Sequence, residues 1–470
     1  MKFGGTSVED AAAIRRVAAI AHDRRASHPV VVTSAMAKVT DRLVELCSLA
    51  LAAQLDEAMT LIAGLRQRHQ QTLAELADGP GAAPCSPAVR AESEALLEAR
   101  FADLAQLVRG IAALGELTLR TRDAVLSFGE RLSPILVCMA IERTGLRSSH
   151  VDARSIIVTD DQFTRALPQY AETQYKVDEQ LKPLLAAGHV PVLGGFIAAT
   201  REGTGTTLGR GGSDFSASIL GAALEAERIE IWTDVDGMLT ADPRACQGAR
   251  RIKAISFQEA AELAYFGAKV LHPATLLPAM QKNIPVWVLN SRSWLPGPPD
   301  GEKTGTLITS RAGSSTRSPF KCISTKRKIA VIDVVSTRML MAHGFLKAIW
   351  DVFDKYRCPV DMVSTSEVSV SLTVSETQHL PEIADELGRF SEVRYEGRKA
   401  IVCLVGESIR EIPCLAARVF AAMGDINIRM ISQGASEINI GMVIEDDDVP
   451  EAMRRLHETF FSEVDPALFA

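Results

Sequence analysis

The chain has 470 residues, 51 Lys and Arg against 58 Asp and Glu, and a formal net charge of −7. That balance argues against nucleic acid or an anionic membrane as the main partner, and 5% aromatic content leaves few rings for stacking on single strands. With 47% hydrophobic and 23% charged residues it reads as an ordinary globular chain, long enough for about three domains.

The start, Met1-Lys2-Phe3-Gly4-Gly5-Thr6-Ser7, sets a cation on a strand ahead of a glycine turn and two hydroxyls, an anion cradle without an apolar signal core. Pro29 to Ala35 reads as an apolar β-branched strand ending in Thr33-Ser34, with Thr40 in the loop beyond. Residues 41–79 and 89–126 carry helical periodicity, and the Gly/Pro-rich stretch 79–84 breaks them apart. Ser127-Phe128-Gly129-Glu130-Arg131 then places a carboxylate just after a helix-like segment. Val190 to Phe196 is a second strand, running into glycines.

Residues 208–217, Leu-Gly-Arg-Gly-Gly-Ser-Asp-Phe-Ser-Ala, are the most informative stretch. Their glycines permit close backbone approach, Arg210 offers a planar fork for a carboxylate or phosphate, and Ser213-Asp214 stand where a helix begins. Strands follow at Ile229–Asp234 and Val286–Leu289, the first leading to Asp236-Gly237 and then Ala241-Asp242-Pro243-Arg244, which are also common turn sequences. Phe266-Gly267-Ala268-Lys269-Val270-Leu271-His272-Pro273 offers a further lysine in a turn. Continuous apolar strands separated by helices predict an open, mainly parallel sheet sandwiched by helices, with ligands at the strand ends.

A Pro-, Gly-, Ser- and Thr-rich segment at 296–318 closes this part, and the tail beyond it holds a repeat. A strand at 329–335, an amphipathic helix from Gly344 to Tyr356 and strands at 360–364 and 368–374 form the first copy. About 70 residues later the order returns: a strand at 400–405, a helix through Leu415 and Val419, then 428–432 and 436–440. Two strand–helix–strand–strand units predict small α+β modules that pair their sheets side by side. No apolar run approaches the roughly 20 residues that span a bilayer. The eight cysteines form no C-x-x-C pair and read as reduced, mostly buried thiols, so a cytoplasmic location is expected.

No G-x-x-x-x-G-K-[ST] loop and no H-R-D or D-F-G element occurs. The set K-F-G-G-T-S, S-F-G-E-R-L-S, G-R-G-G-S-D-F-S-A, W-T-D-V-D-G with A-D-P-R, and F-G-A-K-V-L-H-P instead resembles the aspartate kinases of the amino-acid kinase family, in order over almost the whole chain. The tail repeat resembles the paired, ferredoxin-like ACT modules of those enzymes. The resemblance implies a kinase domain over 1–311, a linker and possible first strand of the second module at 312–325, and ACT modules at 326–398 and 399–470. It also implies that the first module is inserted within the second. In the family several strand residues precede K-F-G-G; with its lysine second, this strand is expected to fray and to leave the terminal ammonium beside the phosphates.

The implied reaction is phosphoryl transfer from Mg-ATP to the side-chain carboxylate of L-aspartate, giving 4-phospho-L-aspartate, the first step towards lysine, threonine and methionine. Such a carboxylate is ionised at neutral pH, so the site has to supply positioning and charge neutralisation rather than a base. On that resemblance Lys2 holds the phosphates, Gly4 and Gly5 donate amides, Asp214 orients Lys2 and Ser34 touches phosphate. Arg210 clamps the α-carboxylate and Glu130 takes the ammonium, with Thr40, Phe196 and Ser213 beside them. Thr233, Asp234, Asp242, Arg244 and Lys269 are expected to contact ATP, and Mg2+ to be held mainly by the nucleotide.

For the ACT modules the resemblance implies an end-product effector. Two carboxylates, Asp361 and Glu367, suit lysine better than threonine. Ser366 and Val360 stand with them, and Met339, Gly344, Phe345 and Leu346 would receive the effector's carboxylate end. Arg429 replaces Asp361 in the second copy, so that module is expected to serve a homodimer contact, with a tetramer also open. Two other readings stay open on the residues: a kinase for another amino-acid carboxylate such as N-acetylglutamate, which Glu130 disfavours, and a silent amino-acid sensor built on the kinase scaffold.

Overall fold

The computed structural model describes all residues except 82, 268–272, 301–303, 314–317, 337–343, 376 and 408. It divides into two compact units, Met1–Met238 with Leu271–Arg311, and Leu239–Val270 with Ala312–Ala470. The first unit ends at Arg311, and residues 239–270 group with the tail, which local composition does not announce.

The first unit holds β1 (Lys2–Phe3), β2 (Val31–Thr33), β3 (Ser148–Val151), β4 (Val158–Thr159), β5 (Val190–Gly194), β6 (Ile197–Thr200), β7 (Gly205–Thr207), β8 (Ile229–Thr233), β10 (Val286–Asn290) and β11 (Thr306–Thr309). Its main sheet runs β3-β5-β2-β1-β8-β10-β11, parallel except for β11. A smaller sheet, β4-β6-β7, lies beside it in sequence order. β1 is short but not frayed: Lys2 pairs with Val32 and Ile231, Phe3 with Thr33 and Trp232, and the Met1 amine donates to the Val30 carbonyl at 2.8 Å. Phe3 is fully buried and stacks on Trp232, ring centroids 6.0 Å apart. Burial pushes the terminal amine down to about 6.

Helices Ala11–Asp23 and Phe128–Glu142 contribute Ile14, Val17, Leu132 and Leu136 to the core that also takes Phe3, Val31 and Val192. The two expected helical runs are four helices, Val39–Leu51, Leu55–Asp78, Pro87–Leu114 and Leu119–Leu126. The extra breaks fall where Ala53 and Gly115 take left-handed backbone, at φ 57 and 65. The stretch Leu119–Glu142 is long and apolar enough to cross a membrane, contrary to the sequence reading, but 89% of its apolar window is buried in the protein, as in a core helix.

The second unit begins with β9 (Ala254–Ser256) and the helix Phe257–Tyr265, started by a capping box in which Ser256 Oγ accepts from the Glu259 amide and Glu259 accepts from the Ser256 amide. Its sheet contains β12 (Cys322–Val335), β13 (Val360–Thr365), β14 (Ser369–Val374), β15 (Glu392–Val405), β16 (Met430–Gln433) and β17 (Asn439–Glu445). They form one antiparallel sheet in the order β13-β14-β12-β15-β17-β16. The two repeats therefore share their long strands. The first half of β12 pairs with the second half of β15, Cys322 opposite Val405, while its second half lies between β14 and the first half of β15, and a register shift separates the halves at Lys326–Ile329. Residues 322–326 thus lie beside 401–405. Five of the eight cysteines are buried.

Candidate active site

In the parallel sheet, β1, β2 and β8 end together, and the residues after them meet the helix Gly212–Ala223. A cavity of about 530 Å3 opens there, lined by Lys2, Ser34, Thr40, Glu130, Phe196, Arg210, Ser213 and Asp214 among others. Eight residues expected from separate motifs, spread over more than 200 positions, are thus gathered at one site.

Lys2 is 8% exposed, and its Nζ lies 2.7 Å from Asp214 Oδ1. The two side chains form a buried ion pair. The amide of Gly4 is not available as expected, because it donates to the Trp232 carbonyl at 3.0 Å as part of the sheet. Gly5 packs tightly: a Cβ there would come within 3.0 Å of the Ala35 carbonyl.

The helix 212–223 is capped by Gly211, in left-handed backbone at φ 73, and not by Ser213 or Asp214, which sit inside its first turn. Asp214 there faces the positive helix end. Phe196 also has φ 65, unusual for an aromatic residue; its amide donates to Ser216 Oγ at 2.9 Å, and its ring meets the space a Gly212 Cβ would fill. Arg210 has no ion pair among the described residues and borders the cavity.

Glu130 follows the helix Leu119–Leu126 and lies inside the first turn of the next one, Phe128–Glu142. Ser127 both ends the preceding helix and caps this one. The helix backbone lies hard against β5, since a Cβ on Gly194 would stand 2.0 Å from the Glu130 carbonyl oxygen. The carboxylate is 5% exposed and Oε2 has no partner. Burial pushes its carboxyl up to about 8, against the pull of the Ala35 and Glu130 amides and the Lys2 charge.

Four lining residues escaped the sequence reading: Arg122, Leu126, Thr164 and Thr207. The two threonines are held by Asp123, 1% exposed, which accepts from the Thr164 amide (2.8 Å), the Thr207 amide (3.0 Å) and Thr207 Oγ1 (2.8 Å). No local signal marks it, because its partners lie 41 and 84 positions away.

The expected ATP contacts are divided. Thr233 ends β8 in the first unit, and its Oγ1 donates to Asp234 Oδ1. Asp236 accepts from Asn290 Nδ2 at 2.7 Å and Ser293 Oγ at 2.9 Å, two partners the sequence did not suggest. Asp242 and Arg244 belong to the second unit and form a two-bond ion pair with each other. Lys269 lies outside the described residues. Among the described residues no group of three or more His, Cys, Asp or Glu gathers to hold a metal.

Of the expected effector residues, Met339 lies outside the described residues. Gly344 caps the helix Phe345–Lys355 at φ 86, Phe345 packs edge-on against Phe390, and Leu346 is exposed. Val360 and Asp361 begin β13, Ser366 Oγ bonds Ser369 Oγ, and Glu367 is exposed. Asp361 is not open: its side chain is 1% exposed and already pairs with Lys326. Arg429, the counterpart in the second copy, pairs with Asp333 at 2.8 Å.

A profile of the amino acid kinase family matches residues 1–290, and an ACT domain profile matches 402–460. The chain is 35% identical to aspartokinase 2, chloroplastic, of Arabidopsis thaliana, over 99% of this chain and 84% of that protein. It is also 35% identical to the lysine-sensitive aspartokinase 3 of Escherichia coli K12, over 98% of each. The crystal structure of E. coli aspartokinase III in complex with aspartate and ADP superimposes with a TM-score of 0.82, at 34% identity over 98% of this chain and 99% of that one. The same enzyme in complex with lysine and aspartate, in its T-state, gives 0.76 at 33% identity. With one profile spanning more than half the chain and these relatives aligned nearly end to end, the chain belongs to the amino acid kinase family, as an aspartokinase carrying a C-terminal ACT region.

Proposed function

We propose that the cavity binds L-aspartate and Mg-ATP and forms 4-phospho-L-aspartate, the first step of the route to lysine, threonine and methionine. The observation that carries this reading is the meeting of Lys2, Glu130, Arg210 and Asp214 around one cavity of substrate size. Arg210, free of any ion pair among the described residues, takes the α-carboxylate in a fork, and Glu130, with one unpartnered oxygen, takes the ammonium. Thr40 and Ser213 supply hydroxyls, and Phe196 walls the pocket.

The β-carboxylate then points at the phosphate end of the cleft. One of its oxygens attacks the γ-phosphorus, the bond to the β–γ bridging oxygen breaks, and ADP leaves. No proton has to move, since the nucleophile is already ionised. Lys2, aligned by Asp214, neutralises the spreading charge, with Gly5 and Ser34 at the same phosphates. Thr233 and Asp234 hold the nucleotide, and Asp242, Arg244 and Lys269 are assigned to it on family grounds alone. Mg2+ would come with the nucleotide and would supply neutralisation of the phosphate charge.

The same reading makes L-lysine the feedback effector, bound around Asp361 and Glu367. E. coli relatives named lysine-sensitive, and solved with lysine, support that choice. A homodimer through the ACT region and a cytoplasmic location complete the proposal. The test is ADP release with Mg-ATP and either L-aspartate or N-acetyl-L-aspartate. Turnover with aspartate alone is expected; equal turnover with the acetylated compound would refute the role of Glu130.

A further inference from the structure

Asp361 is buried with an ammonium already on it. Lys326 Nζ lies 2.6 Å from its Oδ1, Tyr265 OH donates to the same oxygen at 3.2 Å, and Ser375 Oγ donates to Oδ2. The Lys326 ammonium also sits over the Tyr265 ring, 4.8 Å from its centroid. A carboxylate, a hydroxyl and an aromatic face around one cation are the parts of an ammonium-binding site, and the chain fills that site with its own side chain.

The filling residue is placed where its movement matters. Lys326 sits at the register shift of β12, between the half paired to the second repeat and the half paired to the first. Just before it, Ser324 Oγ donates to the Phe266 carbonyl at 2.7 Å. A Cβ on Gly267, at φ 110, would stand 2.3 Å from the Thr325 carbonyl oxygen, so the backbone after the helix Phe257–Tyr265 lies directly on this strand. Tyr265 ends that helix and touches Asp361 itself.

We propose that Lys326 is the resident ligand of the Asp361 cation site, a tethered ammonium that the side-chain ammonium of an amino-acid effector displaces. This rests on the effector reading given above. A tethered competitor that fills its site for all but a tenth of the time weakens an incoming ligand about tenfold. The displaced Lys326 frees Tyr265 and the end of its helix from a shared anchor, which gives the effector a local structural consequence.

The experiment is calorimetric titration of the full chain with L-lysine and with L-norleucine, whose side chain ends in a methyl group. Wild type is compared with Lys326→Met, which keeps the stem and removes the charge, and with Lys326→Arg, which keeps a cation. Lysine is expected to bind Lys326→Met about tenfold or more tightly than wild type, with norleucine unchanged and Lys326→Arg close to wild type. A merely structural role for Lys326 would shift both ligands alike and would overturn the inference. Lysine binding wild type and Lys326→Met equally would overturn it too while leaving the effector reading intact. Lysine binding neither would overturn both. Should Lys326→Met fail to fold by circular dichroism, Lys326→Gln takes its place under the same criteria.

Discussion

Raising the pH from 6 to 8.5 should tighten aspartate binding, because Glu130 has to lose a proton before it can pair with the substrate ammonium. Its carboxyl is buried, has one oxygen without a partner, and is pushed up to about 8 by loss of hydration. At pH 7 only about one molecule in ten then carries the charge, a penalty of about 1.4 kcal/mol on apparent affinity. The dissociation constant should fall about tenfold from pH 6 to 7 and level off above 8. The proton is released on binding, about 0.9 per aspartate at pH 7. Titration calorimetry in two buffers of different ionisation enthalpy reads that number directly. Glu130→Gln should abolish both the release and the pH dependence, and weaken binding at pH 8 by roughly 30-fold or more. Affinity independent of pH from 6 to 8.5, with no proton released, would refute the reasoning.

Other expectations follow from the same geometry. Arg210→Lys should raise the KM for aspartate about tenfold or more with kcat much less affected, because a point charge cannot hold both carboxylate oxygens; steady-state kinetics separates the two. Glu130 also bears on stability. Its folded pKa lies above the ordinary 4.5, so its contribution is full below about 4.5 and is lost as the pH rises through about 8. Glu130→Gln should therefore flatten the decline in melting temperature of the ligand-free protein between pH 5 and 8. Gly194→Ala should be strongly destabilising, by about 3 kcal/mol or more in denaturant titration, since its methyl would overlap the Glu130 carbonyl, a rigid backbone group. In the second unit Lys321 pairs with Glu259 at 2.9 Å, the two side chains 2% and 0% exposed. Lys321→Met should cost roughly 3–5 kcal/mol, and Lys321→Met with Glu259→Gln together much less, because the harm lies in the stranded charge.

Much of the lining of the candidate cleft was legible because its motifs are local. Glycines, hydroxyls and single charges at the ends of apolar strands announce ligand contacts wherever the strands lie in a parallel sheet, and Lys2, Ser34 and Arg210 are of this kind, whereas Glu130 stands in the first turn of a helix. Asp123 was not legible, since an acidic residue in a Leu/Arg helix looks like a solvated one until Thr164 and Thr207 close over it. The use of Gly4's amide was hidden for a related reason: whether a glycine faces a ligand or a neighbouring strand depends on the pairing of β1 with β8. In the tail the repeat announced the elements but not that one long strand runs through two of them. The possible first strand at 312–325 and the strand at 329–335 are separate in the sequence reading, yet a single β12 runs through both with a shift of register. The pairing of Lys326 with Asp361 is invisible for the same reason, because it depends on where that shift falls.

The most direct test of the central claim is to trap the product. With Mg-ATP, L-aspartate and hydroxylamine, an acyl phosphate on the side chain is captured as aspartyl hydroxamate. The account predicts hydroxamate equal to the ADP released in wild type, and both lowered at least 100-fold in Lys2→Met. ADP released without hydroxamate, or hydroxamate formation undiminished in Lys2→Met, would contradict it.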